Sequence, residues 1–291
     1  MTYTVHHNCC PLCHCTEMAL FVTTTDHLIS QRQFEIVQCR KCGFLFTQDA
    51  PSDRAIASYY ESTNYQPLNT SNGFISALYG TARSIMVRWK SRLIHRHHRK
   101  QGTLIDVGAG CGHFLAYMHR QGWNVLGCEQ SDRARAEASR RWQLHLDGDV
   151  MRCDYLSWCA DVITAWHAVE HIHNLHGLWE RFHQWLMPDG MLVVAVPNSD
   201  SDDAQHYVDR WAAWDVPRHL WHFNISSITS LARQHGFFLI DINPLPLDAV
   251  YISLLSDQNK IPAIINGLRF ALQGVTHSQH ASSLVYMFKK Q

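Results

Sequence analysis

The stretch Leu104-Ile-Asp-Val-Gly-Ala-Gly-Cys-Gly112 decides the fold of this 291-residue chain. An apolar strand runs directly into three glycines at alternating positions, and Phe114 then opens a helix. Because glycine has no side chain and a helix N-terminus presents free N–H groups, such a loop lets a ligand approach the backbone closely. A second apolar segment, 123–128, ends on Glu129, where an acidic residue can bind the hydroxyls of a ribose. The stretch therefore predicts a nucleoside site on a parallel sheet.

The glycine spacing narrows the choice of nucleoside. Gly108, Gly110 and Gly112 follow a Gly-x-Gly-x-Gly pattern, and His113 stands where a pyrophosphate-binding loop would have its third glycine. This difference favours a cofactor without a diphosphate. We therefore expect S-adenosylmethionine (SAM) rather than NAD.

From residue 103 onward, apolar strands alternate with helices. The sequence predicts strands at 103–107, 123–128, 161–166 and 191–196, with helices at 112–121, 132–142 and 174–186. A further helix at 226–235 and strands at 237–242 and 283–288 complete the chain. This alternation predicts an α/β fold, a Rossmann-like parallel sheet with helices on both faces.

Two Cys-x-x-Cys pairs precede this domain and predict a zinc-ribbon-like module. Cys10, Cys13, Cys39 and Cys42 can converge as four thiolates on one structural Zn²⁺, and Gly43 supplies the positive φ that such a turn needs. A closed four-cysteine site has no open coordination position, so it would stabilise the fold or serve in docking. Three neighbours could replace a ligand: Cys9, His14 and Cys15.

Composition excludes some functional classes. Lys and Arg together number 25, as do Asp and Glu, so no net charge attracts nucleic acid or an anionic membrane. No apolar run is long enough to span a bilayer, and the first residues do not resemble a signal peptide. We expect a soluble, cytoplasmic protein with reduced cysteines.

The predicted organisation has three parts. Residues 1–50 form the zinc-ribbon-like module, 51–101 a linker with N-terminal helices that cap the cofactor site, and 102–291 the catalytic domain. The helix predicted at 74–100 ends in a cationic turn, which is ordinary for a helix C-terminus. Within the catalytic domain, 244–280 is predicted to be an insertion that forms a lid or an interface. A protein partner or self-association could use that insertion or the zinc module.

Five motifs in order resemble the class I SAM-dependent methyltransferases, in particular the bacterial group with a cysteine-knuckle module at the N-terminus. They are the glycine loop with Glu129, the Tyr-rich segment 59–65, and the segments 161–171, 186–198 and 214–223. The resemblance implies a seven-stranded methyltransferase sheet and SAM as methyl donor. Asp189 stands where that group usually has glycine, in a turn expected to lie away from the site.

The resemblance also implies roles for individual residues. The loop would run along the methionine part of SAM, and Asp106 would hold the loop in place. Glu129 would bind the ribose, and His167 would border the methionine end. Tyr60 and Tyr65 either present aromatic faces to the sulfonium or only pack. The full set of expected cofactor residues is Asp106, Gly108, Ala109, Gly110, Gly112, Glu129, Gln130, Asp149, Val150, His167, Tyr60 and Tyr65, with Asp147 competing with Asp149 for the adenine amino group.

Methyl transfer from a sulfonium is a direct displacement, so most of the catalysis is positioning. A hydroxyl acceptor benefits from a general base, and His219 is the first candidate, followed by His171 and His222. The resemblance also leaves open a divalent metal at His167, Glu170 and His171, since Glu-His pairs bind such a metal in ubiquinone-pathway O-methyltransferases and small-RNA 2′-O-methyltransferases. The alternative is a structural pair at a helix start. Four aromatic residues either wall the acceptor pocket or belong to the core: Trp211, Trp214, Trp221 and Phe223.

The sequence therefore predicts a SAM-dependent methyltransferase for a small-molecule, saccharide or lipid-linked acceptor, with O-methylation favoured. Two alternatives remain at this stage. One is a non-catalytic SAM-binding scaffold whose zinc module recruits a partner. The other is an RNA-modifying methyltransferase, which the neutral charge disfavours.

Overall fold

The computed structural model describes residues 4–60 and 73–291. The N-terminal part is built from short antiparallel strands and ends in a long helix. The strands are β1 (Thr4–Val5), β2 (Met18–Thr25), β3 (Gln33–Cys39), β4 (Leu45–Thr47) and β5 (Ala50–Pro51), and the helix is α1 (Gly73–His97). A 3-10 turn at Ile56–Tyr59 lies between β5 and α1.

The rest of the chain alternates strands and helices, as the sequence predicts. In chain order the elements are β6 (Thr103–Val107), α2 (His113–Arg120), β7 (Asn124–Cys128), α3 (Asp132–Trp142), β8 (Ala160–Trp166), α4 (Leu175–Trp185), β9 (Leu186–Pro197), α5 (Asp202–Tyr207), β10 (Trp221–His222), α6 (Ile225–Gln234), β11 (Phe237–Pro244), α7 (Asp248–Ser256), α8 (Lys260–Thr276) and β12 (Ser283–Lys290).

The central sheet has the strand order β11-β12-β9-β8-β6-β7. Strands β6, β7, β8 and β9 are parallel, whereas β12 runs antiparallel between β9 and β11. The predicted Rossmann-like α/β fold is thus confirmed. In place of a seventh strand beside β7, the described residues show a single parallel bridge between Cys128 and Asp147. The segment before this bridge has only Leu144 and Leu146 as alternating apolar residues, too few for a longer buried strand.

Alternate residues of the strands enter two different cores, because successive side chains of a strand point to opposite faces. In β9, Leu192 and Val194 join a core with α4 and α6, while Met191 and Val193 join a core with α1 and α2. Both faces of the sheet are therefore covered by helices. This burial explains why the central strands are nearly continuous apolar runs.

The N-terminal sheet takes its last strand from the other half of the chain. Its order is β10-β4-β3-β2, with Trp221 opposite Phe46 and His222 opposite Leu45. Residues of the cysteine pairs, such as Cys10 and Cys39, belong to the same core as Trp221. The two parts of the chain consequently share both a sheet and a core.

The segment predicted as an insertion folds into the helix pair α7 and α8. The helices approach closely at Gly267, where an added Cβ would lie 2.6 Å from the Cα of Val250. Ala263 and Gly274, on the same side of α8, are also buried. Small residues on this side allow the two backbones to approach. Among the described residues, no helix is both long and apolar enough to cross a membrane.

A buried ion pair fixes the N-terminal sheet to the loop before β10. The guanidinium of Arg218 donates to Asp26 at 3.2 Å and to Asp215 at 2.6 Å, and the Arg218 and Asp26 side chains are at most 1% exposed. Burial opposes ionisation of Asp26. The N–H and hydroxyl of Ser30 together with Arg218 nevertheless lower the pKa of this carboxyl. The pair is therefore charged and fully enclosed.

We expect Asp26→Ala to lower the free energy of unfolding by about 3 kcal/mol, because it leaves a buried guanidinium without one of its counter-charges. Urea denaturation at neutral pH measures this loss. Because the folded pKa of Asp26 lies below its ordinary value, the difference from wild type should shrink as the pH falls below that ordinary range. Asp53, an exposed partner of His173, provides the control, and Asp53→Ala should leave the midpoint nearly unchanged. Equal effects of both variants would contradict the assignment.

Candidate active site

The glycine loop joins β6 to α2 and lies at the carboxyl end of the sheet. Gly108, Gly110 and Gly112 have φ values of +75°, +54° and +74°, a region that favours glycine. The N–H groups of Gly108 and Ala109 both donate to the carbonyl of Cys128, at 2.9 and 3.0 Å. The sequence thus forms a tight turn that is tied to the end of β7.

Glu129 closes over this loop. Its carboxylate accepts from the N–H of Gly110 at 2.9 Å and from the N–H of Ser131 at 2.8 Å. A Cβ added at Gly110 would meet no atom within 4 Å, so there is open space beside the loop. A half-buried carboxylate beside an open glycine turn suits the hydroxyls of a ribose, and the residues present therefore fit a nucleoside cofactor.

Asp106 lies beneath the loop at the end of β6. It is buried, and it accepts a hydrogen bond from the Thr164 hydroxyl at 2.5 Å. Burial raises the pKa of Asp106 to about 7, although the nearby Lys90 acts to lower it. The Lys90 ammonium lies 4.3 Å from the centre of the Trp166 ring, and burial lowers its pKa to about 8. Sequence reasoning gave no role to Lys90, which lies in the middle of α1.

The residues expected on the adenine side follow the bridge at Asp147. Asp149 accepts from the N–H of Met151 at 2.9 Å and so caps a 3-10 turn, with Val150 buried behind it. Asp147 pairs through its backbone with Gly127 and Glu129. Gln130 is exposed, and its carbonyl accepts from Arg135. These residues surround the end of β7 next to Glu129.

His167, directly after β8, has φ +53° and lies between two carboxylates. Its Nδ1 is 3.4 Å from Glu170, and its Nε2 is 3.0 Å from Asp248 of α7. Burial alone would lower the pKa of His167, but the charges of Asp248 and Glu170 outweigh it and raise the pKa to about 10. The imidazole is therefore cationic at neutral pH. Asp248 is a second site residue that sequence reasoning missed, because it comes from the distant helix pair.

An acid–base cluster, formed by Glu170, His171 and His219, lies beside His167. One ligand atom of each residue lies within 4.8 Å of those of the others, and the two imidazole rings are 4.6 Å apart. Glu170 is fully buried, and neither of its carboxylate oxygens has a hydrogen bond among the described residues. Burial would raise the pKa of Glu170, but His167 and His219 lower it to about 2. The cluster thus contains a buried, ionised carboxylate whose charge is balanced by the cationic His167, 3.4 Å away.

Both histidines of the cluster are oriented by backbone carbonyls. His219 Nδ1 donates to the carbonyl of Ala213 at 2.8 Å, and His171 Nδ1 donates to the carbonyl of Arg218 at 3.0 Å. In any ring of this kind that is neutral, the Nε2 atom is left as an acceptor. Burial, together with the charge of His219, lowers the pKa of His171 to about 4, so this ring is neutral at neutral pH.

Of the other residues predicted for the site, one borders the acid–base cluster and the rest either are buried or lie outside the described residues. The Tyr60 hydroxyl lies 3.0 Å from His171 Nδ1, so Tyr60 borders the cluster, whereas Tyr65 lies outside the described residues. His222 is buried and its Nε2 donates to Thr47 of β4, which gives it a structural contact with the N-terminal sheet. The four aromatic residues considered as pocket walls or core are all at most 4% exposed: Trp211, Trp214, Trp221 and Phe223.

The four predicted cysteine ligands converge in the N-terminal part. The Sγ atoms of Cys10 and Cys42 are 3.6 Å apart, and those of Cys13 and Cys39 are 3.5 Å apart. All four sulfurs lie within 4.8 Å of one another. A tetrahedron with zinc–sulfur bonds of about 2.3 Å has edges of about 3.8 Å, so the arrangement fits a tetrahedral metal ion. Gly43 has φ +73°, as the turn requires.

Comparison with known proteins agrees with this geometry. A family model described as a methyltransferase domain matches residues 80–242, more than half of the chain. The ubiquinone biosynthesis O-methyltransferase of Rhodopseudomonas palustris (strain HaA2) is 25% identical over 154 residues. That alignment covers 47% of this chain and 58% of the relative, so the chain spans little more than half of that enzyme's length.

Two solved structures share the fold. The geranyl diphosphate C-methyltransferase of Streptomyces coelicolor A3(2), in complex with Mg²⁺, geranyl diphosphate and S-adenosyl-L-homocysteine (SAH), has a TM-score of 0.53 and 15% identity. The match covers 83% of this chain and 90% of that one. A SAM-dependent methyltransferase from Archaeoglobus fulgidus has a TM-score of 0.52 and 14% identity, over 72% and 94% of the two chains.

The glycine loop, the acidic residue after β7 and the four parallel strands of the sheet thus lie within the region that the family model matches. The chain belongs to the methyltransferase domain family, and it shares the fold of the SAM-dependent methyltransferases that it resembles.

Proposed function

We propose that this enzyme transfers the methyl group of SAM to a hydroxyl group of a small molecule, a saccharide or a lipid-linked intermediate. The observation that carries this proposal is the acid–base cluster at the carboxyl end of β8. Amine and carboxylate acceptors need little help with proton transfer, whereas a hydroxyl acceptor gains from a buried base of this kind.

The cluster lies against the cofactor loop. A Cβ added at Gly108 would be 2.7 Å from the Cβ of Ala168, so the loop packs directly on the segment that leads into Glu170 and His171. His219 reaches the same place because the N–H of Leu220 donates to the carbonyl of Glu170 at 2.8 Å. Because the glycine loop and this segment are in direct contact, an acceptor bound at the cluster would have its oxygen near the methyl donor. The same contact would exclude water.

His219 is the residue best placed to take the proton. With Nδ1 donating to Ala213, its Nε2 can accept the proton of an acceptor hydroxyl as the new carbon–oxygen bond forms. The resulting imidazolium would lie 4.0 Å from Glu170 and 3.9 Å from Asp215. Two carboxylates at this distance would stabilise the charge that develops on the ring. When bound, SAM supplies the electrophilic methyl group.

The curated relative supports the choice of oxygen. It is named a ubiquinone biosynthesis O-methyltransferase, and its similarity to this chain covers nearly half of our sequence. We therefore propose O-methylation over N- or C-methylation.

A divalent cation is a second way in which the same cluster could assist the reaction. Glu170, His171 and His219 each offer one possible ligand atom, and these three atoms all lie within 4.8 Å of one another. A cation there would bind the Glu170 carboxylate and polarise the acceptor oxygen.

We also propose that the four-cysteine site holds a structural Zn²⁺. The support is the set of short sulfur–sulfur distances and the backbone turns that orient the thiols, such as the N–H of Leu12 donating to Cys10 Sγ at 3.4 Å. The site is closed, so it would act on the fold and not on the reaction.

Glu129→Ala should weaken SAH binding tenfold or more, measured by isothermal titration calorimetry, because the ribose hydroxyls would lose their acceptor. Glu180→Ala is the matched control, a change at an exposed acidic residue of α4. Its SAH affinity should equal that of wild type. Undiminished affinity in Glu129→Ala would show that the nucleoside binds elsewhere.

A panel of phenols, alcohols, saccharides, amines and carboxylates, incubated with methyl-labelled SAM, would identify the acceptor. On a hydroxyl acceptor, His219→Asn should reduce kcat about 100-fold or more, since its amide can replace Nδ1 as donor to Ala213 but cannot replace Nε2 as base. SAH affinity should be unchanged. His206→Asn, a change at an exposed histidine, should keep wild-type kcat. Full activity of His219→Asn on a hydroxyl acceptor would refute the proposed base.

Elemental analysis of the purified protein should find about one zinc per chain. Cys13→Ser should lose this metal, while Cys15→Ser, a change at the neighbouring thiol outside the four-cysteine set, should retain it. A zinc content unaffected by Cys13→Ser would rule out the proposed ligand set. A second metal equivalent that disappears in Glu170→Gln would favour the cation at the acid–base cluster.

A further inference from the structure

Helix α8 exposes a stripe of large apolar side chains. Ile261, Leu272 and Val275 are 75%, 70% and 77% exposed, and the other members of the stripe are 44–61% exposed. The stripe consists of Ile261, Ile264, Ile265, Leu268, Leu272 and Val275. With respect to residues 4–60 and 80–291, α8 therefore presents an uncovered apolar surface along its whole length.

The spacing of these residues is that of a helix–helix seam. Ile261, Ile265, Leu268, Leu272 and Val275 follow one another at intervals of four, three, four and three residues. This is the alternation of the apolar positions in a heptad repeat, the pattern with which one helix packs along another.

The opposite side of α8 is already occupied. Ala263, Gly267, Phe270 and Gly274 are buried, and Gly267 packs on the backbone of α7. The helix is thus apolar on both sides. Helices of that kind are normally buried on both sides, so the exposed stripe requires a cover.

The area is sufficient for a stable interface. Leu247 and Leu255 of the α7 segment, which precedes α8, are 47% and 51% exposed and add to the exposed apolar area. These two residues and the six of the stripe expose roughly 900 Å² per chain, comparable to the 800 Å² or so per partner that a standard interface buries.

We propose that a second copy of this chain covers the stripe, with α8 of one protomer packed against α8 of its partner about a two-fold axis. A heptad seam is complementary to itself, and two-fold pairing places the same surface on both sides of the contact. Charge argues against a membrane surface as the cover. Helices that lie on membranes have a polar face rich in Lys and Arg, whereas α8 has only Lys260 and Arg269 and its other side is buried by protein.

The position of Leu268 allows a sharp test. It lies in the middle of α8, so in a two-fold pair it contacts, or nearly contacts, its own copy. Leu268→Glu and Leu268→Lys should each be monomeric in sedimentation velocity, with a dimer dissociation constant raised roughly 100-fold or more, because each brings two like charges together in an apolar interface. An equimolar mixture of the two variants should recover a dimer.

The matched control is Leu156→Glu, which places the same charge at another strongly exposed leucine away from α8. It should sediment as a dimer, like the wild type, and all variants should keep the wild-type melting temperature within a few degrees. A wild-type chain that is monomeric at 50 μM or so would overturn the proposal. So would failure of the Glu and Lys variants to associate when mixed, or a monomer that binds phosphatidylglycerol vesicles and loses that binding in Leu268→Glu.

Discussion

The site depends on one interaction, the ion pairing of the buried Arg218 guanidinium with two aspartates. A charge enclosed in this way is tolerated only with compensating charges, and Asp26 and Asp215 provide them from two different parts of the chain. The backbone carbonyl of the same residue accepts from His171. One residue thus fixes the N-terminal sheet, the loop before β10 and a histidine of the acid–base cluster relative to one another.

A second set of buried charges surrounds the cofactor loop. Glu170 is balanced by the cationic His167, which also faces Asp248 of α7. On the other side, Asp106 lies near Lys90 of α1. The contact of His167 with Asp248 joins the sheet to α7, and the proximity of Asp106 to Lys90 joins it to α1. The electrostatics of the site therefore depend on how α1 and α7 pack on the sheet, as well as on the loop itself.

Local signals in the sequence were enough to predict the elements around the loop. Glycines after an apolar strand define the turn. The spacing of the two cysteine pairs predicted four thiols that converge, and in the structure their sulfurs do lie close together. Lys90 and Asp248 could not be found in this way, because only tertiary packing brings them to the site. The same holds for the tryptophans near β10, whose aromatic character suits a pocket or a core equally well. Packing puts them in the core, and it gives His222 a contact with Thr47 that distinguishes it from His219.

The pairing of β10 with β4 also limits how fragments and chimaeras of such enzymes can be made. The region that the family model matches begins at residue 80, yet its loop before α6 contributes a strand to a sheet whose other strands precede that boundary. A fragment trimmed to the matched region would leave Trp221 and His222 with unpaired backbone groups and an apolar edge. A chimaera that exchanges only the cysteine-bearing part between homologues would have to preserve the register of Phe46 against Trp221. The cysteine module and the methyltransferase core should therefore be expressed and engineered together, as one unit.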